Sequence, residues 1–243
     1  MRQWIAAAGL ALTAGLSSCN MQNTLTRQPQ TVRPRLTMQE VIPPMAPATK
    51  AQEDSQNKFL KDNVSRFRSR KLASQYYVLQ AKRTFNQNQP DSAMIFLNRA
   101  WLMDRSNNEI YWGYGLAYGQ MQEYDKALYL LYRTLDQDKE NPRLLTDIAT
   151  THLARFYSQS NPTDLQQSRK LLKRALAQNP KNTADTYYKL AINSYYLLDF
   201  GQAWHYLHQS IKLDKSKENK KFIAALLQKE QDPAGVYSNR HTK

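Results

Sequence analysis

One short segment recurs at a regular interval along the chain. Ala93, Ala127 and Ala203 close three similar segments, PDSA, YDKA and FGQA. The first two alanines are 34 residues apart, and the second and third are 76 residues apart. A period of 34 is typical of a helix–turn–helix unit that stacks on copies of itself. The longer interval leaves room for one more unit with an insertion, so the sequence predicts an all-α array of repeated helix pairs.

The clearest copy of the unit runs from residue 108 to residue 141. Gly115 and Ala127 are small residues that let two helices approach closely, while Tyr111, Tyr118 and Leu131 fill the space around them. The pattern resembles the tetratricopeptide repeat. The other units carry the small pairs Ala81 and Ala93, Ala149 and Ser168, and Ala191 and Ala203. The resemblance implies a tetratricopeptide-repeat helical solenoid of about four helix–turn–helix units plus a C-terminal capping helix.

The repeat pattern also sets domain boundaries. The solenoid with its capping helix is predicted over residues 73–230, since residues 218–230 form one amphipathic stretch that can shield the last unit. Residues 231–243 follow the helix-ending pair Asp232-Pro233 and are predicted to be a flexible tail. About seven extra residues lie in the third unit, around 156–162. They are interpreted as a longer loop, or alternatively as a contact loop at one end of the groove.

The first twenty residues predict where the protein is targeted. A short basic start precedes an uncharged run of 12 residues from Trp4 to Gly15, which is too short to span a bilayer comfortably and has the layout of a secretory signal. The following Leu16-Ser17-Ser18-Cys19 resembles the bacterial lipoprotein signal. The resemblance implies a signal peptide over residues 1–18 and lipid on Cys19, the only cysteine. An ordinary signal peptide with a chance cysteine is the alternative.

Two segments separate Cys19 from the repeats. Residues 19–50 hold five of the ten prolines and are predicted to be a disordered Pro/Gln/Thr-rich tether, a stalk or else a segment that binds a partner. Residues 51–72 are predicted to be a basic lead-in helix. Its end carries Arg66, Arg68, Arg70 and Lys71, a candidate basic membrane-facing patch. The alternative is a solvated face with no lipid contact.

Composition and motifs argue against catalysis. Seven glycines in 243 residues and no glycine-rich loop disfavour a phosphate-loop enzyme, and a single cysteine excludes an intramolecular disulfide. His205 and His208 are spaced so that they could share a metal, but no third ligand is evident. The sequence therefore predicts no enzyme, no cofactor and no metal. A metal-dependent envelope enzyme is the remaining alternative for the two histidines.

The function expected of such a solenoid is the binding of partner molecules. By the resemblance, the concave surface is built from the first helix of each unit. Carried over residue by residue, the predicted partner-binding groove comprises Lys82, Phe85, Trp112, Leu116, Arg143, Thr150, Asp185, Tyr188, Tyr195 and Tyr196. Aromatic residues and arginine are common at the energetic centres of interfaces. Several of these rings could instead pack between units.

The net charge of the chain bears on which class of partner it binds. The net charge of +14 would favour nucleic acid in a cytoplasmic protein, but the signal directs the chain elsewhere, so no nucleic acid is expected. The prediction is a lipid-anchored, non-catalytic adaptor of the bacterial envelope that captures envelope proteins. By the resemblance to bacterial lipoproteins, Asn20 after the lipid-bearing cysteine implies the outer membrane, facing the periplasm. The alternative is a binder of anionic lipid or cell-wall polymer through the basic flanks. By resemblance, such lipoproteins serve outer-membrane protein assembly, secretin assembly or cell-wall enzyme scaffolding.

Overall fold

The computed structural model describes residues 33–43, 45–179 and 183–237. The predicted signal peptide and Cys19 lie outside these residues. The described residues form α1 (Met38–Val41), α2 (Lys50–Phe67), α3 (Arg70–Asn86), α4 (Pro90–Met103), α5 (Asn108–Gln120), α6 (Tyr124–Gln137), α7 (Pro142–Gln159), α8 (Pro162–Gln178), α9 (Ala184–Tyr196), α10 (Phe200–Leu213) and α11 (Lys220–Leu227), with one 3₁₀ turn at Lys215–Lys217. No strand occurs within them.

Four helix pairs stack along the chain and confirm the predicted architecture. The first to fourth units are α3–α4, α5–α6, α7–α8 and α9–α10, and each unit packs on the next. The turns of the first, second and fourth units share one geometry, with Asn88, Gln122 and Leu198 at φ of 61°, 63° and 60°. In each, the next residue donates its backbone N–H to a carbonyl five residues earlier, which satisfies the end of the first helix.

The small residues at the predicted positions bring the two helices of a unit together. A Cβ on Gly115 would lie 2.6 Å from Leu131 Cγ and 3.3 Å from the Ala127 carbonyl oxygen. Only a residue without a side chain fits between α5 and α6 at this point. The repeat pattern therefore reflects a packing requirement between paired helices.

In the third unit, the extra residues do not form the predicted loop. Helix α7 continues to Gln159 and α8 begins at Pro162, so only Ser160 and Asn161 connect them. Asn161 caps α8 by accepting the Thr163 backbone N–H, and Ser160 adopts a left-handed φ of 55°. The extra residues lengthen both helices, and the prediction of a long or contact-making loop is wrong.

The described part of the predicted tether is folded onto the solenoid. We call residues 33–43 and 45–49 the N-terminal segment. Val41 and Ile42 are buried, and the Tyr118 hydroxyl donates to the Val41 carbonyl at 2.7 Å. Arg33 donates twice to the Asp136 carboxylate at 3.0 Å. The disordered-tether prediction is wrong here because apolar side chains between the prolines bury against the helices; residues 19–32 lie outside the described part.

The beginning of the repeats also differs slightly from the prediction. The lead-in helix is α2, which ends at Phe67, where Arg68 takes a left-handed φ of 61°. The first unit begins with α3 at Arg70 rather than at residue 73, because Ser69 caps α3 by accepting the Leu72 backbone N–H. Residues 70–72 therefore belong to the first unit.

The C-terminal end is capped as predicted but continues further. Ile223 and Leu226 of α11 are buried against the fourth unit. Beyond it, Asp232 is buried and accepts the backbone N–H groups of Ala234 and Tyr237. The flexible-tail prediction is wrong for residues 231–237, because this turn and the Tyr237 ring fix them to α10. Residues 238–243 lie outside the described part.

Candidate protein-binding groove

The predicted groove residues lie on the first helices of the four units, α3, α5, α7 and α9. Their exposure differs widely. Lys82, Arg143, Asp185 and Tyr196 are exposed, Phe85, Trp112, Leu116, Thr150 and Tyr195 are half-buried, and Tyr188 is buried.

A polar cluster lies where three of these helices meet. The Trp112 indole N–H donates to Asp147 Oδ2 at 2.8 Å. Burial raises the pKa of the Asp147 carboxyl to about 6, although the Trp112 hydrogen bond and the charges of Lys189 and Arg143 act in the opposite direction. Burial also lowers the pKa of the Lys189 ammonium, against the charges of Asp185 and Asp147. We call Trp112, Asp147 and Lys189 the groove cluster.

Sequence reasoning missed two members of this cluster. Asp147 and Lys189 each lie two residues before a small position, Ala149 and Ala191, so they occupy the same register in successive units. A register comparison restricted to charged residues would have placed an acid beside a base. The groove positions implied by the resemblance to the repeat family do not include this register.

The exposed charges at both ends of the groove are neutralised by neighbours. Lys82 pairs with Glu109 across the first two units. Asp185 pairs with Lys217 of the 3₁₀ turn. A shallow cleft of about 210 Å³ lies beside the first pair, lined by Gln75, Val78, Leu79, Lys82, Asn107 and Glu109. The charges at the two ends of the groove are therefore balanced within the protein.

Two predicted groove tyrosines pack against the C-terminal cap. The Tyr188 ring lies 5.9 Å from the Phe222 ring, and the Tyr195 ring lies 5.7 Å from the same ring. Tyr188 is only 8% exposed, so it belongs to the packing between the fourth unit and α11. Tyr196 instead is 42% exposed and meets Tyr157 edge-on at 5.4 Å. The interpretation of Tyr188 as a groove surface is wrong because α11 covers it.

The candidate basic patch is partly engaged within the protein. Arg70 donates to the carbonyls of Leu102 and Met103, both at 2.8 Å, and so closes the end of α4. The Arg66 guanidinium lies 5.7 Å from the centre of the Tyr76 ring. Arg68 and Lys71 are exposed. Two of the four cations thus have structural contacts that explain their presence.

A polar network with a buried centre joins the second and third units. The His152 ring lies between the Tyr132 hydroxyl, 2.8 Å from Nε2, and Asp164 Oδ1, 2.6 Å from Nδ1. Arg155 donates to both Asp164 oxygens and to Asp125. Burial lowers the pKa of His152, so the neutral ring donates from Nδ1 and accepts at Nε2.

This network is a structural element. His152 and Asp164 are both 0% exposed, so no substrate can reach the ring. Burial also raises the pKa of Tyr132 to about 12, which keeps its hydroxyl protonated as a donor. The Tyr–His–Asp order thus satisfies buried polar groups and ties the second unit to the third. No sequence signal identified it.

Of the two histidines considered as metal ligands, His208 is engaged within the protein and His205 is exposed. His208 Nε2 lies 2.7 Å from Asp232 Oδ1, and its ring stacks on Tyr237 with 6.0 Å between centroids. Within the described ranges, no group of three or more histidine, cysteine or acidic side chains could hold a metal ion. No helix of residues 33–43, 45–179 or 183–237 combines the length and apolar character needed to cross a bilayer.

Comparisons with known proteins support the architecture. No protein-family model and no curated protein matches the chain. Among solved structures, PilF of Pseudomonas aeruginosa is similar with a TM-score of 0.52 and 16% identity, over 70% of this chain and 79% of that one. MamA AMB-1 is similar with a TM-score of 0.47 and 15% identity, over 71% of this chain and 98% of that one. The described helix pairs, together with the likeness to PilF, show a tetratricopeptide-repeat fold.

Proposed function

We propose that this protein is a non-catalytic adaptor of the bacterial cell envelope. Lipid on Cys19 anchors it to a membrane, and the groove formed by the first helices binds segments of partner proteins. The outer membrane, with the protein facing the periplasm, is the proposed location because Asn20 follows the lipid-bearing position. Tetratricopeptide-repeat proteins are typically scaffolds that bind other proteins, which supports the adaptor class.

The groove cluster is the observation that carries the proposal. A carboxyl with a pKa near 6 instead of 3.8 binds its proton more tightly in the folded state. At pH 7 the folded protein therefore bears a penalty of about 3 kcal/mol for ionising Asp147. Among the residues that the structure describes, Trp112 is the side chain that donates a hydrogen bond to Asp147 Oδ2. A partner that donates to this carboxylate would offset the penalty.

The chemistry of the groove indicates the kind of segment it takes. Its end charges are already paired, and its middle presents the Trp112 ring and the Leu116 side chain, both half-buried. The basic clamp that holds a peptide carboxylate in chaperone-binding tetratricopeptide domains is absent, since Val78 and Lys82 occupy two of its expected basic and amide positions. A segment with an apolar side chain beside a hydrogen-bond donor fits these surroundings.

Site-specific photocrosslinking tests the groove. A photoreactive residue at Leu116 in the full-length protein should give one discrete protein adduct in intact cells. The same residue at the exposed Lys220 on α11 serves as the matched control. Adding Trp112→Ala should diminish the Leu116 adduct. Identical adducts at both positions, or no protein adduct at Leu116, would contradict the groove assignment.

A separate experiment tests the anchor. Intact-mass measurement of the purified membrane form should detect acyl chains on a chain that begins at Cys19. Cys19→Ser should abolish the acyl mass and release the protein from the salt-washed membrane fraction. Density separation of the two membranes then tests the outer-membrane location. An unmodified Cys19 in membrane-bound protein would refute the anchor without affecting the groove.

A further inference from the structure

The N-terminal segment fixes the point at which the chain leaves the solenoid towards Cys19. Arg33 is the first described residue, and it lies on α6, the second helix of its unit. Its guanidinium bonds both Asp136 oxygens at 3.0 Å and lies 4.6 Å from the centre of the Tyr132 ring. Fourteen residues of chain separate Cys19 from this point. A fully extended stretch of that length reaches about 50 Å, against about 110 Å for residues 19–50.

The next second helix along the solenoid carries a row of cations beside this exit point. Tyr132 follows the small Ala127 by five residues, and Lys173 follows the small Ser168 by five residues, so both occupy the same register. Lys170 lies one helical turn before Lys173, and both lysines are exposed. The outer row of α8 therefore continues the surface on which the N-terminal segment lies.

The acidic side chains near Lys170 and Lys173 are largely paired with basic side chains. Asp136 is paired with Arg33, and Glu140 with Arg174. The Arg33 guanidinium lies against the Tyr132 ring, and burial raises the pKa of that tyrosine to about 12 although the charges of Arg33 and Arg174 act in the opposite direction. Lys170 and Lys173 thus add positive charge to a locally balanced surface. An excess of cations beside a membrane anchor complements anionic lipid head groups.

We infer that the second-helix face of α6 and α8 rests on an anionic lipid surface and that the groove opens away from it. The inference rests on the proposed lipid on Cys19. The groove residues lie on the first helices, which form the other layer of the solenoid. Partner proteins would then reach the groove from the aqueous side, while Lys170 and Lys173 contact phosphate-bearing head groups.

Energy transfer on vesicles tests this orientation. Since Cys19 is the only natural cysteine and would be acylated, one introduced cysteine can be labelled alone. Dyes are placed at His205, exposed on α10 in the register of Lys170, and at Arg143, exposed in the groove. The lipidated full-length protein is reconstituted in vesicles of neutral lipid with and without anionic phosphatidylglycerol, with an acceptor dye on the lipid head groups.

The inference predicts stronger transfer from His205 than from Arg143 on the anionic vesicles only. Two lysines near an anionic leaflet favour the contacting orientation by about 30-fold, so Lys170→Gln with Lys173→Gln should lose most of that difference. The matched pair Lys220→Gln with Lys221→Gln, exposed on α11, should leave it unchanged.

Each other outcome overturns the inference in a recognisable way. Equal transfer from both positions, or stronger transfer from Arg143, refutes the orientation while the acylated Cys19 stands. Absence of acylation in the same preparation removes both the anchor and the orientation. Retention on purified cell-wall polymer that depends on Lys170 and Lys173, without dependence on anionic lipid, would assign the lysines to the polymer and overturn the lipid assignment.

Discussion

Replacing Asp164 with alanine should destabilise the protein by about 3–5 kcal/mol, the usual cost of removing one partner from a buried ion pair. Arg155 is 2% exposed and donates to both oxygens of this carboxylate at 3.0–3.1 Å from Nε and 2.7 Å from one terminal nitrogen. The His152 Nδ1–H would lose its acceptor as well. Of the original contacts, Arg155 would keep only the bond to Asp125, which lies 2.6 Å away and is half exposed.

The assay is urea unfolding followed by circular dichroism, at pH 7.5 and at pH 5.5. With a urea slope of about 2 kcal/mol per molar, the midpoint should fall by about 1.5–2.5 M. Hydrogen exchange should locate the loss in α7 and α8. Glu109→Ala removes an exposed ion pair with Lys82 and serves as the control, with an expected cost of about 0–1 kcal/mol.

Acidification provides a second signature of the same network. The pKa of His152 in the folded protein lies below 6.5. Just below that pH, the imidazole binds a proton in the unfolded chain but stays neutral in the folded protein. The contribution of His152 to stability should therefore fall as the pH drops below about 6.5. His152→Phe should remove this dependence. A loss below 1 kcal/mol for Asp164→Ala, or an unchanged pH profile for His152→Phe, would refute the assignment of the network as a structural tie.

Three other predictions follow from packing and from the groove. Asp147→Asn keeps an acceptor for Trp112 but cannot ionise. In thermal unfolding it should therefore raise the free energy of unfolding by about 2–3 kcal/mol at pH 7.5 and give no gain at pH 3.5. Gly115→Ala should cost about 1–3 kcal/mol by crowding Leu131, whereas Gly201→Ala, whose nearest neighbour would be at 3.7 Å, should be neutral or stabilising. Val41→Ala should lower the free energy of unfolding by about 1–2 kcal/mol and increase proteolysis of the N-terminal segment, because Val41 is buried. Neither change would be seen if the segment did not pack on the helices.

The stacked helix pairs were predictable because their signals are local. Gly115 and Ala127 lie twelve residues apart within one unit, and their contact depends only on the geometry of a helix pair. The same holds for α11, whose apolar face is visible in eight residues. The four-unit architecture therefore followed from the spacing of the small residues together with the resemblance to the tetratricopeptide repeat.

The contacts that were missed join residues far apart in the chain. Arg33 and Asp136 are separated by 103 residues, and nothing in a proline-rich segment indicates which distant surface it will cover. Asp147 is an ordinary acid in the sequence, and only burial between first helices shifts its pKa. Tyr188 had the correct register for the groove but lies under Phe222, because α11 folds back over it.

The N-terminal segment changes how this array is expected to come apart. Stacked repeats usually contact only their neighbours, so their terminal units fray independently and unfolding can begin at either end. Here the segment that precedes α2 is bonded to Tyr118 of α5 and to Asp136 of α6. Val41 and Ile42 also share one buried cluster with residues of both the first and the second unit, so opening the first unit would expose part of the surface that holds this segment. The first two units should therefore melt as one cooperative block.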